Sequence, residues 1–492
     1  MEYRNSLKSV REIGRELGVA TLLLGQVQRI GDLIRLNVQL IDAEHDRQLW
    51  SEVYEDQLTA ENIFRIQSQI ATAIAGELHA ALTPEEVARL NEVPTRSEQA
   101  RLHYQSGRIY EGSNDDANAV EQFELAVEED ETFALAWARL AFRRGWRFDS
   151  GQDPSEENLR LSLQALDRAQ RLDPDLPEVH LALSSRYARD GDREEALRQL
   201  ELAAQGLPND AELYGMLEAR YRRMGQWNKA IAAAEEARER DPLEFSEGAA
   251  GIYVFLRDYA RAQEDYEALL RIRPDSLWEY NTLPLYRDGD VTLAKAAVAN
   301  LEAPLSIDGA FLGWITALYE RSYEEALSYA MGMPELLSRS ILYVPRDSYI
   351  GVTYQLDEKP ELARPYFERV RDQLKADIED SPEDAPSNAR LYVTLAEALL
   401  GLDEPEEAVR LANQAIDLMP RSFDAITGSE IQMQAVVRVL APSGEVDAVI
   451  EQLGDYLDNP GRWSLEGLLA DPRFDLVKEQ PAFQSFIESR RR

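Results

Sequence analysis

Residues 183–208, LSSRYARDGDREEALRQLELAAQGLP, and residues 217–242, LEARYRRMGQWNKAIAAAEEARERDP, decide the fold of this chain. Five positions of the first stretch recur 34 residues later in the second. They are Leu183, Tyr187, Ala196, Ala203 and Pro208, which return as Leu217, Tyr221, Ala230, Ala237 and Pro242. A fixed period of this length indicates a repeated unit that packs against copies of itself.

Each copy has the features of a helical hairpin. Small residues such as Ala196 and Ala203 let two helices approach closely. The turns DGDREEA, residues 190–196, and MGQWNKA, residues 224–230, place a glycine where the first helix must end. The proline at the end of each copy stops the second helix, because it has no amide hydrogen to donate.

With Tyr214 opening the second copy, this pattern resembles the tetratricopeptide repeat. The resemblance implies a right-handed α-solenoid of helical hairpins, in which the first helix of each pair lines an extended groove. It implies a protein that holds a partner rather than one with an active site in a single core.

The repeat extends over residues 93–460, for which we predict about nine to ten copies. Gly107, Tyr110, Ala119 and Phe123 mark an early copy, and Gly351 and Phe367 belong to a late one. The copies are recognised by these small and aromatic positions at helical spacing. The pattern weakens at residues 276–345, where we expect hairpins with irregular packing.

Residues 1–92 follow a different pattern. Residues 34–40, IRLNVQL, alternate apolar Ile34, Leu36, Val38 and Leu40 with polar residues, and Gly31-Asp32 precedes them as a hairpin turn. A third strand, QLWSEVYED, and a long helix with isoleucines at helical spacing follow. We predict a small α/β domain with a short antiparallel sheet.

This order of elements resembles the second half of the TolB-amino-terminal-like (FlgO-like) domain, through GQV at 25–27, LIDAEHDRQLW and EDQLTAENIFRIQSQIA. In that family the domain precedes tetratricopeptide repeats and follows a nucleotide cyclase, a kinase or a DNA-binding domain. The resemblance leaves two alternatives open: the regulatory or sensory portion of such a protein, or an envelope or secretion assembly factor. The shortened sheet would expose an edge, which favours pairing with a second copy of the chain.

Residues 461–492 depart from the repeat. Asp471-Pro472-Arg473-Phe474 and Pro481-Ala482-Phe483 resemble the closing segment of the same signalling family. We expect a segment that caps the last apolar face, since terminal repeats need such a cover.

Composition restricts the function further. The chain has 90 acidic and 53 basic residues, a net charge of −37, and no cysteine. Such a chain repels nucleic acid and has no thiol chemistry. We find no apolar run of membrane-spanning length and no secretory leader, so the prediction is a cytoplasmic protein, or a periplasmic one if an anchor lies upstream.

No motif for catalysis or for a cofactor is found. His45, His79, His103 and His180 are scattered, and no dinucleotide loop, phosphate loop or nucleophile elbow occurs. The predictions are therefore a protein that is not an enzyme, no metal, no cofactor, and a protein or peptide partner.

The residues at the expected groove positions do not match the known clamp for a peptide carboxylate. A lysine and asparagine clamp for a peptide carboxylate would occupy positions that hold Glu178, Leu181 and Ser185 in one copy and Glu212 in the next. Arginines near the ends of first helices are candidates for contact with an acidic partner. The candidate binding residues are Arg101, Tyr104, Arg108, Arg189, Arg222 and Arg223.

Overall fold

The structure is a computed structural model of the 492-residue chain. It describes residues 8–17, 19–78, 87, 92–113, 115–242, 244–245, 247–273, 278–301, 306–339, 342–379, 382 and 385–491. His79, one of the four histidines named above, lies outside the described residues. The chain divides into two compact units, Met1–Leu213 and Tyr214–Arg492. The boundaries proposed at residues 92 and 460 stay predictions.

The first unit begins with a helix and a three-stranded antiparallel sheet. The elements are α1 (Val10–Leu17), β1 (Thr21–Ile30), β2 (Leu33–Asp42), β3 (Arg47–Gln57) and α2 (Ala60–Glu77). Gly31, at a φ of 61°, forms the predicted two-residue turn, because glycine enters this region without steric penalty. The strand order β1-β2-β3 leaves β1 and β3 as outer strands of the sheet.

Helices in pairs make up the rest of the first unit. They are α3 (Glu98–Glu111), α4 (Asp116–Glu129), α5 (Ala134–Asp149), α6 (Glu156–Leu172), α7 (Pro177–Arg189) and α8 (Arg193–Gly206). Helix α9 (Ala211–Arg223) spans the division between the units. The hairpins α3/α4, α5/α6 and α7/α8 follow the sequence pattern, so the expected fold class, mostly α with a short sheet ahead of it, is confirmed.

The second unit continues with paired helices. They are α10 (Trp227–Arg240), α11 (Ala250–Phe255), α12 (Tyr259–Ile272), α13 (Trp278–Asp288), α14 (Thr292–Ala299), α15 (Ile307–Tyr319), α16 (Tyr323–Met331), α17 (Arg346–Leu356), α18 (Pro360–Glu379), α19 (Ala389–Leu400) and α20 (Pro405–Leu418). A two-stranded hairpin, β4 (Leu336–Arg339) and β5 (Leu342–Pro345), precedes α17. It lies where the repeat pattern weakens.

The last elements of the second unit depart from simple pairing. They are α21 (Ala425–Ala435), a π turn (Val436–Leu440), α22 (Ala441–Ser443), α23 (Val446–Asp458), α24 (Leu465–Leu469), a 3-10 turn (Pro472–Phe474), α25 (Asp475–Lys478) and α26 (Pro481–Arg491). The π turn ends two residues before Pro442, which cannot donate to the carbonyl of residue 438.

The repeat positions form the core of the hairpins. Ala119, Ala196, Ala203 and Ala230 are fully buried. A Cβ at Gly107 would come within 2.6 Å of the Phe123 ring, so this glycine is needed for the close approach of α3 and α4. The paired small and aromatic positions read from the sequence therefore explain how each hairpin closes.

The turns inside the hairpins share one backbone conformation. Gly191 and Gly225 have φ angles of 85° and 68°, as the sequence predicts. In later hairpins Arg257, Arg321 and Glu358 take the same left-handed conformation without glycine. Because none of these three turns has a glycine, they lack the sequence signal from which the turns at Gly191 and Gly225 were predicted.

Candidate functional site

Arginines and carboxylates from successive first helices meet on one face of the first unit. Arg143 on α5 donates from Nε to Glu111 on α3 at 2.7 Å and from Nη2 to Glu212 on α9 at 2.7 Å. Its Nη1 lies 3.6 Å from Asp116. We call this surface the inner face of the first unit and define it by Arg108, Glu111, Asp116, Arg139, Arg143, Glu178, Asp210 and Glu212.

Arg139 is the most buried cation of the inner face, with 3% of its side chain exposed. Its Nη2 lies 3.5 Å from Asp210 and 3.9 Å from Glu178. Burial alone would lower its pKa, but Glu111, Tyr104, Glu178 and Asp210 together outweigh this and the pKa is raised, so the guanidinium keeps its charge. Its Nε and Nη1 have no hydrogen-bond partner among the described residues.

Arg101, Tyr104 and Arg108 all lie on α3, but in different environments. Arg101 is buried and donates to Glu98 and Gln105. The Tyr104 ring packs 5.1 Å from that of Phe133, and burial raises the Tyr104 pKa to about 12. Arg108 is 41% exposed and donates to Glu111 at 2.7 Å.

The other candidate arginines lie on other helices. Arg189 on α7 makes a two-pronged ion pair with Asp149, at 2.8 and 2.9 Å. Arg222 and Arg223 lie at the end of α9, in the second unit. Arg223 donates to Asp424 at 2.8 Å, and Nε of Arg222 lies 2.8 Å from Glu218. Each candidate arginine thus has a carboxylate neighbour, and its role in binding stays a prediction.

Sequence reasoning missed Arg139 and Arg143 as inner-face residues. Both follow Trp137, which the repeat pattern places near the start of a first helix. Residues three and four positions apart share one face of a helix, so their spacing from each other was the available signal. That signal was masked because Arg143, Arg144 and Arg147 also form a short basic cluster in the sequence.

The corresponding face of the second unit is covered by the chain itself. Residues 456–475, which we call the C-terminal segment, contact the first helices of several hairpins. Gly461 N donates to Phe255 O at 2.7 Å, and Ser464 N donates to Tyr286 O at 3.0 Å. The Tyr319 hydroxyl donates to Gly467 O at 3.3 Å. The C-terminal segment therefore occupies the surface on which a repeat protein would hold a partner.

Arg257 fastens the C-terminal segment. Its guanidinium donates to four backbone carbonyl groups, at 2.8 to 3.3 Å. These belong to Tyr456, Leu457, Asn459 and Trp463. The guanidinium also lies 5.0 Å from the centroid of the Tyr456 ring. One side chain in a hairpin turn thereby fixes the path of a segment about 200 residues away.

Close packing at Gly467 gives a test of this docking. A Cβ at Gly467 would lie 2.3 Å from Tyr286 O, a backbone atom that cannot rotate away. We expect Gly467→Ala to lower the free energy of unfolding of the second unit by about 2 to 3 kcal/mol, as overpacking does. Urea unfolding would measure the change.

Gly251→Ala in α11 is the control for that variant. A Cβ there meets nothing within 4 Å. It should leave stability unchanged or raise it by up to about 1 kcal/mol, because alanine is the better helix former. Equal losses in the two variants would contradict the docking argument.

Among the described residues, the structure has neither a membrane-spanning helix nor a metal-binding group of side chains. Within them, no helix is both long and apolar enough to cross a bilayer. In the same described ranges, no three histidine, aspartate or glutamate side chains are grouped so that they could hold a metal ion.

Comparisons of the sequence find one matching family model and one similar protein. The family model for the tetratricopeptide repeat matches residues 100–133 and 248–276. A protein of Rhizobium meliloti (strain 1021) described as putative adenylate cyclase 3 is 37% identical over 87 residues. These are 18% of this chain and 14% of that protein, so the chain spans only a small part of this relative.

Solved structures resemble parts of the chain. A tetratricopeptide repeat protein from Parabacteroides merdae is 16% identical, with a TM-score of 0.32, and the match covers 61% of this chain and 98% of that one. PilF from Pseudomonas aeruginosa is 18% identical, with a TM-score of 0.29, over 48% and 90% of the two chains.

Proposed function

We propose that this chain, two stretches of which match the tetratricopeptide repeat model, is a non-enzymatic interaction protein that holds a protein or peptide segment on the inner face of its first unit. The observation that carries the proposal is the difference between the two inner surfaces. The C-terminal segment covers that of the second unit, through Arg257 and Tyr319. On the inner face of the first unit, by contrast, side chains such as those of Arg108 and Glu212 are partly exposed to solvent.

The charge of the inner face favours a basic partner segment. Five carboxylates face three arginines, which leaves a local charge of −2. The chain as a whole carries −37, which attracts cations over a longer range. Glu212, with 37% of its side chain exposed, is the most accessible of these carboxylates. Lysine or arginine side chains of a partner would find acceptors there.

A variant pair tests this charge preference. We expect Asp210→Asn/Glu212→Gln to bind basic peptides roughly 10- to 30-fold more weakly, since each partly exposed charge contributes about 1 kcal/mol. Both changes keep the shape of the side chain, and asparagine can still accept from Leu213 N at the start of α9. Fluorescence anisotropy with peptides of matched length and graded net charge would measure the affinities.

The control removes the same charge from second helices. Glu156→Gln/Glu194→Gln alters exposed residues of α6 and α8. It should change the affinity for basic peptides by less than about threefold, because screened charges at a distance contribute little. Equal effects of the two variants would refute binding at the inner face.

An acidic partner remains the second candidate, through the arginines identified in the sequence. Here Arg108 would leave Glu111 and bind a partner carboxylate or phosphate. The variant Arg101→Glu/Arg108→Glu, with Arg108→Glu alone as the form that leaves Arg101 paired, would then weaken the binding of acidic peptides. If basic peptides bind and acidic ones do not, this candidate is refuted.

A regulatory role in a larger signalling protein is the setting we favour for this interaction. The short match to a putative adenylate cyclase is the observation in its favour. An envelope or secretion assembly factor is the alternative.

Pairing of two chains through the outer strand β1, where Val27 and Ile30 are 65% and 69% exposed, is a further proposal.

A further inference from the structure

A cavity of about 250 Å³ lies inside the second unit. Its walls come from α13, α15, α17 and α21, and the C-terminal segment closes one side. Ile307, which is 44% exposed, lies on its lining, so the cavity reaches the surface. None of its lining residues belongs to the inner face of the first unit.

Most of the cavity wall is apolar and aromatic. Trp314 and Tyr349 meet edge to face with ring centroids 4.8 Å apart, and Phe311 lies 6.1 Å from Tyr349. Trp314 donates its ring N–H to Thr353, at 2.9 Å, so its face is held in place. Such a wall suits a flat apolar body.

Three ion pairs form most of the charged part of the wall, and Asp308, next to the exposed Ile307, adds one further carboxylate to the lining. Arg438 donates to both carboxylate oxygens of Glu397, at 3.0 and 2.7 Å. Arg473 pairs in the same way with Asp471, at 2.9 and 2.7 Å, and Arg462 donates to Glu430 at 2.7 Å. All six residues line the cavity. Their formal charges cancel, and both donors and acceptors border the same space.

The volume sets the size of an occupant. A cavity of about 150 Å³ in a protein core is large enough to bind benzene. The present cavity is larger, so it has room for a bicyclic ring with a short polar group. A cavity also lowers stability in proportion to its volume, which argues that this space has a use.

The charges of the cavity wall restrict which polar group, here called the head, a bound ligand can have. Beside the three pairs, away from Asp308, a ligand head with a net charge would add an uncompensated charge to a largely apolar cavity, which is unfavourable. A head with no net charge can accept from one arginine and donate to one carboxylate without disturbing the three pairs.

We propose that this cavity binds a small amphipathic molecule, with an aromatic body against Trp314 and Tyr349 and a polar head of zero net charge beside Arg438, Arg462 and Arg473. The C-terminal segment supplies part of the wall. The second unit thereby acts as a receptor for a small molecule.

Four indole compounds with different heads test the proposal by calorimetry on the full chain. Tryptophol has a neutral head and tryptophan a zwitterionic one, whereas indole-3-acetate is an anion and tryptamine a cation. We expect the tighter of the first two to bind at least about tenfold more strongly than either charged compound. Absence of binding by all four, or equal binding of a charged one, would overturn the proposal.

Filling variants place the binding in the cavity. Leu342→Phe and Val352→Phe add a ring to two lining positions, and we expect each to weaken binding by about tenfold or more. Leu362→Phe, at an exposed position of α18 outside the cavity, is the matched control and should bind as the parent chain does. If both filling variants fold, as shown by unchanged circular dichroism, and bind normally, the site is elsewhere and the proposal fails.

Discussion

Arg257→Met is expected to lower the free energy of unfolding of the second unit by about 3 to 5 kcal/mol. The side chain gives up four bonds to backbone carbonyls, at 2.8 to 3.3 Å, and methionine replaces only its apolar stem. Bonds from a charged donor are stronger than neutral ones, and the carbonyl groups left behind are partly shielded from water. Urea unfolding followed by tryptophan fluorescence would measure the loss.

Arg261→Met is the control for this variant. Arg261 lies on the next turn of the same hairpin, is 64% exposed and pairs with Asp258 at 3.4 Å. An exposed ion pair of this kind contributes little, so we expect a change below about 1 kcal/mol. A loss in Arg257→Met no larger than that of the control would mean that the C-terminal segment is held by other contacts.

Arg438→Met is the second large expected effect, again about 3 to 5 kcal/mol at neutral pH. The change leaves Glu397 buried without its cation, and a buried unpaired carboxylate is strongly destabilising. Ser348 continues to donate to Glu397, which softens the loss but cannot replace the charge. Thermal and urea unfolding at several pH values would measure it.

The pH dependence of that loss has a definite sign. Burial alone would raise the pKa of Glu397, but Arg438, with smaller contributions from Ser348 and Arg473, outweighs burial and holds the pKa below its ordinary value of 4.5. The parent chain has the stabilisation from this pair above that pH and loses it as the pH falls through the lowered pKa. Without Arg438, burial raises the Glu397 pKa, so the variant gains stability as the acid is neutralised. The difference between the two proteins should therefore shrink below about pH 5.

Arg410→Met provides the matched comparison. Arg410 is 56% exposed and pairs with Glu407 on one face of α20. Its loss should cost less than about 0.5 kcal/mol. A pH-independent difference between Arg438→Met and the parent chain would show that Glu397 is not the group responsible.

The hairpins could be predicted from the sequence because the residues that form each hairpin lie within one copy of the repeat. Ala196, Ala203 and the turn at Gly191 act within one copy, so their spacing carries the information. The two-residue turn at Gly31 and the strands beside it were predictable for the same reason.

Contacts between distant parts of the chain could not be predicted. The spacing of Arg257 gives no hint of Tyr456, and a left-handed arginine replaces the glycine expected at that turn. The π turn that carries Arg438 depends on where Pro442 interrupts a buried helix, which has no periodic signature. The cavity wall combines such elements, so neither its charge balance nor its size was visible beforehand.

The anchoring by Arg257 also bears on how the protein is made. Ribosomes add about 5 to 20 residues per second, so some 10 to 40 seconds separate the synthesis of Arg257 from that of its acceptors, which lie 199 to 206 residues later. During that interval the apolar inner surface of the nascent second unit has no cover. Chaperones can bind this exposed surface during that interval. The speed of translation across residues 260–456 should therefore influence the yield of folded protein.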